Sequence, residues 1–128
     1  MKLIFTTGAL LGALAVAFGA FAAHGLSQKL PPEKLQIFDT AVKYQFYHVF
    51  AIMIVGILAA QNPTALLLWS GRLFIIGIFL FSGSIYLLAT RELLGIESWS
   101  KFLGPVTPLG GLSFIAGWIL LALHFLKK

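Results

Sequence analysis

The sequence has no cysteine and little charge: nine Lys or Arg and four Asp or Glu among 128 residues, 10% of the chain. Without thiols there is no disulfide framework, thiolate nucleophile, Cys-ligated zinc or iron–sulfur cluster. An average soluble domain is about 25% charged, so this chain lacks the groups to coat a water-facing surface. An ordinary soluble enzyme, a disordered tail and a nucleic-acid module are excluded on that ground. The formal charge of +5 does not restore the last of these. The basic residues stand singly or at the chain ends, with no cluster to track phosphates, so no nucleic-acid partner is expected. In place of charge the chain is 59% hydrophobic, with a mean hydropathy of +0.97.

A spanning helix needs about 20 predominantly apolar residues to cross about 30 Å of hydrocarbon. Uncharged runs at 3–28, 44–71, 73–90 and 102–126 are bounded by Lys2, Lys29, Lys43, Arg72, Arg91, Lys101 and Lys127. They accommodate four spans at about 3–23, 44–61, 66–90 and 107–126. Each must be a helix, because lipid offers the backbone no hydrogen bonds and four strands cannot close a barrel. The first span also reads as a signal peptide, with Lys2 before it and Ala20-Phe21-Ala22 as a cleavage-like sequence. Its apolar stretch exceeds the roughly 7–15 residues of a signal core, so a retained span is expected.

The connections hold most of the polar chemistry. Pro31 and Pro32 stop one helix and start the next, with Pro32 suited to a first turn. Residues 33–48 read as an amphipathic helix that rests at the membrane surface and runs straight into the second span, with Leu35, Phe38, Val42 and Phe46 on its apolar stripe. The third connection, 91–106, carries Glu92, Glu97 and Lys101, with Trp99 and Phe102 as interfacial anchors. Thr107-Pro108 is a helix-start signal. No repeat, low-complexity tract or linker breaks the chain, so residues 1–128 read as one integral membrane domain. The expected fold is an all-α membrane protein, four transmembrane helices in an up-down bundle. Lys and Arg in short loops set orientation. Lys2, Arg72, Lys127 and Lys128 on one side against Lys29, Lys34, Lys43, Arg91 and Lys101 on the other impose no bias.

Small residues mark the helix-packing faces: Gly8 and Gly12 in a GxxxG, Ala15, Gly19 and Ala23, Gly83 between Ser82 and Ser84, and Gly117 after Ser113. Lipid tails supply no hydrophobic force between helices, so close approach over small side chains takes its place, within the bundle or in a homo-oligomer. Ionisable residues collect at one end. His24 closes the first span, His48 opens the second, and Asp39–Lys43 and Tyr44–His48 are neighbours at a spacing of four. Three readings compete for this end. Its residues form interfacial pairs and anchors, or line a polar pocket for a headgroup, quinone or small solute, or ligate a metal or haem through His24 and His48. No nucleophile elbow, HExxH helix or P-loop is present, so no catalytic residue, metal site or cofactor is assigned.

Four ordered segments carry a resemblance. Gly19-Ala20-Phe21-Ala22-Ala23-His24-Gly25-Leu26 resembles a GAFGAHGL signature, with Ala22 where Gly is usual. The others are Phe38-Asp39-Thr40-Ala41-Val42-Lys43-Tyr44-Gln45-Phe46-Tyr47-His48, Leu80-Phe81-Ser82-Gly83-Ser84-Ile85-Tyr86 and Gly104-Pro105-Val106-Thr107-Pro108-Leu109-Gly110-Gly111. Together, over essentially the whole chain, they resemble the YgdD/YwdK type of small bacterial inner-membrane protein of unknown function, which has a small eukaryotic relative associated with mitochondria. The resemblance implies a multi-helix, multi-pass integral membrane protein and transfers no catalytic residue. It also directs attention to one candidate pocket, formed by His24, Asp39, Lys43, Tyr44 and His48 with Gly110 and Gly111 at a helix start, where free amides favour an anion. Small size and the lack of reactive motifs then point to a non-enzymatic accessory or scaffold subunit, with membrane lipids and a larger complex or homo-oligomer as partners. The alternative is a small transporter or a lipid- or ligand-binding protein using the polar end.

Overall fold

The computed structural model, which describes residues 2–127, contains no strand among those residues. Helix α1 covers Lys2–His24 and α2 covers Pro32–Gln61. The third apolar stretch, Ala65–Ala89, is one rod made of α3 (Ala65–Gly77), a π turn at Ile78–Ser82 and α4 (Gly83–Ala89). A one-turn helix, α5 (Arg91–Leu94), and a 3-10 turn at Glu97–Trp99 lead into α6, Ser100–Leu126. All four rods are long and apolar enough to cross a membrane. Connected by short loops, they alternate in direction as an up-down bundle.

Local chemistry explains most boundaries. Pro31 is extended (φ −67°, ψ 160°) and Pro32 takes a first-turn position, where a missing N–H costs nothing. The Thr64 hydroxyl caps α3 by accepting from the Leu67 N–H at 3.3 Å, satisfying one orphan donor. Gly95 ends α5 at φ 70°, a left-handed conformation that side chains resist.

The segment at 33–48 runs straight into the second span as expected: it is the first half of α2, which continues unbroken to Gln61. The last helix does not start at Thr107-Pro108, and that expectation is corrected: α6 begins at Ser100 and holds Pro105 and Pro108 inside it. Each proline leaves one carbonyl without its helical donor, those of Lys101 and Gly104. Both residues are exposed near the loop end, where irregularity is tolerated better than at the bilayer centre. Thr107 does not cap the helix; its hydroxyl contacts the Leu103 carbonyl at 3.3 Å and the Ser84 hydroxyl at 2.5 Å.

Packing sorts the helices into a centre and two flanks. Half of the second span's apolar window lies inside the protein, against 17% for the first and 22% for the fourth, so α2 and the α3–α4 rod form the middle. On one side α1 lies against α2 through glycines. A Cβ on Gly8 would sit 2.9 Å from Met53 and 3.0 Å from Ile52, and one on Gly12 would sit 3.3 Å from Val49. At Gly19 the Val42 side chain is 3.6 Å away. On the other side α6 meets the third rod, with Gly77 against Phe114 and Gly117 against Phe74 at 2.7 Å. Serines tie the third rod to both of its neighbours, α2 and α6. Ser82 donates to the Ala41 carbonyl and Ser70 to that of Gly117, both at 2.8 Å, and Ser113 to that of Leu73 at 2.7 Å. Such bonds replace the hydrophobic drive that lipid cannot supply. Gly83 departs from the expected packing role: a Cβ there would find only the Ile78 carbonyl, at 4.0 Å.

Candidate functional site: a lipid-facing cleft beside the first helix

The residues expected to form a pocket at the loop end diverge. Asp39 and Lys43 pair at 3.0 Å, with both side chains more than half exposed, on the outside of α2. His24 is exposed at the end of α1. Tyr44 is 40% exposed and rests against Phe81, ring centroids 4.8 Å apart. Gly110 and Gly111 lie deep inside α6, where their amides belong to the helical ladder, so the expected anion-binding helix start does not exist. Gly110 instead lets α6 touch the backbone N and Cα of Phe81.

His48 is not at the bundle end; it is buried halfway along α2. Its ring stacks on Phe114 at 3.5 Å with an interplanar angle of 6°. Nδ1 lies 2.7 Å from the Tyr44 carbonyl, which only accepts, so Nδ1 carries the proton. Nε2 accepts from the Trp118 indole N–H at 3.1 Å. Both nitrogens are therefore engaged by the fold. The pairing of Gly12 with Val49 and of Gly19 with Val42 sets His24 and His48 about 16 Å apart along the bundle, at about 1.5 Å per residue. Joint ligation of one metal or haem by these two residues is ruled out. Among the described residues no group of three His, Asp or Glu is placed to hold a metal ion.

The polar centre that sequence reading missed is Gln45, 2% exposed. Its Nε2 donates to the Leu11 carbonyl of α1 at 2.7 Å, and its Oε1 accepts from the Tyr86 hydroxyl of α4 at 2.6 Å. One side chain thus ties three helices together. The available signal was a glutamine amid apolar residues of a span, where an unpaired amide would be expensive. Gln45→Leu and Tyr86→Phe are each expected to cost about 1–2 kcal/mol by leaving a buried partner unsatisfied. The double variant should cost less than the sum of the two. Reversible unfolding in mixed micelles measures all three, and strict additivity would contradict the bond.

Above and below this bond lies open space. Phe18 of α1, Phe38 of α2 and Tyr86 of α4 cluster, with Phe18–Tyr86 centroids at 4.7 Å and Phe38–Tyr86 at 4.9 Å. A cavity of about 500 Å³ extends from them towards the loops, past Leu26, Leu87 and Thr90 to Lys29. A second, of about 310 Å³, extends towards the bundle centre among Leu11, Leu14, Ile78, Phe79 and Gly83. Phe18, Tyr86 and Leu87 line both, so the two cavities adjoin across the Phe18–Tyr86 ring contact and together make a cleft along the flank between α1 and the third rod. The π turn helps to form it. Bracketed by Gly77 and Gly83, it places Ile78 and Phe79 on the cleft while Phe81 packs on Phe114, centroids 5.5 Å apart. Such turns recur at functional sites in helices.

A family model described as a protein of unknown function (DUF423) matches residues 18–111. The chain belongs to that family. It is 39% identical over 127 residues to the UPF0382 membrane protein SH2409 of Staphylococcus haemolyticus, covering 99% of this chain and 98% of that protein. It is 38% identical over 128 residues to the UPF0382 membrane protein YwdK of Bacillus subtilis, with the same coverage. No solved structure matches it. The matched segment holds the cleft residues Phe18, Phe38, Gln45 and Tyr86 together with His48 and Gly110.

Proposed function

We propose that this membrane protein binds a membrane amphiphile, without turning it over, in the cleft between α1 and the third rod. One observation carries the reading: the two adjoining apolar cavities of the cleft, at about 500 and 310 Å³, fall within the size range of ligand sites. The cleft lies on the flank of a thin, lipid-facing helix. Its hydroxyls are committed, Tyr86 to Gln45 and Thr90 to the Tyr86 carbonyl, and neither is paired with a base, which favours holding a molecule over transforming it. All-helical spans fit the inner, cytoplasmic membrane of a bacterium better than an outer membrane populated by barrels.

Gly83 provides the test. A side chain there meets only open space, and the position lines the deeper cavity, so Gly83→Leu fills the cleft while sparing the helix seams. In vesicles containing a phospholipid with a diazirine at its acyl end, photolabelling is expected on Phe18 or Leu87. Gly83→Leu should reduce that labelling about tenfold, the loss of roughly two buried methylenes. Labelling that ignores the cleft, or is unchanged in the variant, would remove the reading.

The accessory or scaffold role has a separate support. Ala9, Ala13 and Ala17 are exposed four residues apart on the outer face of α1, a surface over which a second transmembrane helix can approach closely. Under that reading one stoichiometric membrane partner, or a second copy, co-purifies in mild detergent and is lost in Ala13→Trp. Recovery of the chain alone would count against it.

A further inference from the structure

Resting on the reading of the cleft as an amphiphile site, we propose that its occupant is an anionic amphiphile, with an acyl chain under Phe18 and Tyr86 and an acidic headgroup on Lys29.

The length of the cleft sets the first constraint. Along the third rod it runs from Thr90 to Ile78, about 18 Å at 1.5 Å per residue. A single leaflet contributes about half of the 30 Å hydrocarbon core. The cleft therefore accepts the tail of a lipid whose headgroup sits at the loop level, and it stops near the midplane. A headgroup at that level meets the end of the cleft lined by Lys29 and Thr90.

Hydrogen-bonding capacity sets the second constraint. The Tyr86 hydroxyl donates to Gln45. The Thr90 hydroxyl donates to the Tyr86 carbonyl at 2.8 Å. Neither has a proton left for a ligand. Two lining groups keep donors: the Gln45 amide, with one N–H beyond its bond to Leu11, and the Lys29 ammonium, with three donors and no acceptor. Only the ammonium stands at the headgroup level, where one negative group suits one positive charge.

Charge distribution sets the third. Of the other cations on the same side, Lys43 pairs with Asp39 at 3.0 Å and Lys34 with Glu92 at 4.0 Å, while Arg91, next to Thr90, turns its guanidinium to the Leu88 carbonyl at 3.3 Å. Among the described residues no carboxylate lies within ion-pair distance of Lys29. The mouth therefore carries an uncompensated positive charge. A zwitterionic lipid would bring its own ammonium to that point, and an acidic one would not.

Two sources share this chemistry, an acidic phospholipid and a free fatty acid, and the test separates them. The protein is reconstituted with tail-diazirine probes at equal mole fraction: phosphatidylglycerol, palmitate or phosphatidylcholine. Label is mapped at Phe18 and Leu87. At least one anionic probe is expected to exceed phosphatidylcholine by about fivefold, as for one Lys at a membrane surface. Lys29→Gln should abolish the preference, and Lys43→Gln, outside the cleft, should leave it. Preference for palmitate alone identifies a free acid, and preference for phosphatidylglycerol identifies a phospholipid; either supports the proposal. Equal labelling by all three probes, or a preference that survives Lys29→Gln, overturns the headgroup assignment while leaving the tail site intact. Absence of cleft label from every probe overturns the amphiphile reading itself.

Discussion

Gly110→Ala is expected to destabilise the bundle by about 3 kcal/mol, at the upper end for overpacking in a well-packed interior. The expectation rests on what the new methyl would meet. At Gly110 a Cβ collides with the backbone N of Phe81 and stands 2.7 Å from its Cα. Backbone cannot step aside as the tip of a flexible side chain can, so relief requires α6 to move off the third rod. That movement would loosen the Ser84–Thr107 contact and the stacking of His48 on Phe114. The adjacent glycine is the control. A Cβ on Gly111 stands 4.0 Å from Phe81 Cδ2, ordinary contact, and alanine there gains helix propensity of up to about 1 kcal/mol. Unfolding in mixed micelles, followed by circular dichroism, should separate the two variants by several kcal/mol. Equal stabilities would mean that the two helices do not approach as described.

The contrast between these adjacent glycines shows where sequence reading stops. The gaps between charges locate the spans because lipid excludes charge whatever the neighbours are. Pro31 and Pro32 mark a helix start because their effect is confined to their own backbone. The four-residue spacing of Gly8 and Gly12 names a contact face for the same reason. Thr107-Pro108 misleads because a cap and an interior bend share a local pattern. The choice between them is made by Ser84 on another helix and by the interface around Lys101 and Gly104. His48 misleads in a similar way: Lys43 marks the start of an uncharged run but not of a helix, and the ring belongs to the centre of α2. The cleft has no local pattern at all. It arises because α1 leans on α2 through small residues, because a π turn shifts the third rod by one residue, and because Gly83 lacks a side chain. These are relations among three helices. Gln45 was legible in principle, as a neutral amide in a span that must find partners, but only the packed bundle shows that they are Leu11 and Tyr86.

His48→Ala is expected to cost about 3 kcal/mol or more, the range for deleting a large buried ring. Three helices share the space the imidazole fills: Phe114 and Trp118 of α6 and Phe74 of α3 all lie within ring-contact distance. Alanine leaves a cavity at this junction. It also takes the acceptor from the Trp118 indole N–H, which is only partly covered by the protein. His48→Phe separates these contributions. It keeps a flat ring against Phe114 and gives up both hydrogen bonds, of which the one to the Tyr44 carbonyl is the lesser loss because that oxygen also serves the α2 ladder. We expect His48→Phe to retain more than half of the stability lost in His48→Ala, with a residual cost of about 1 kcal/mol for a hydrogen bond. Unfolding in mixed micelles gives both values, and Trp118 fluorescence reports the freed indole directly. If His48→Phe is as damaging as His48→Ala, the hydrogen bonds and not the ring hold α6 in place. Cleft labelling by the acyl probe should survive in either folded variant, because His48 lines neither cavity; its loss would tie the histidine to the binding site instead of to the seam between α2 and α6.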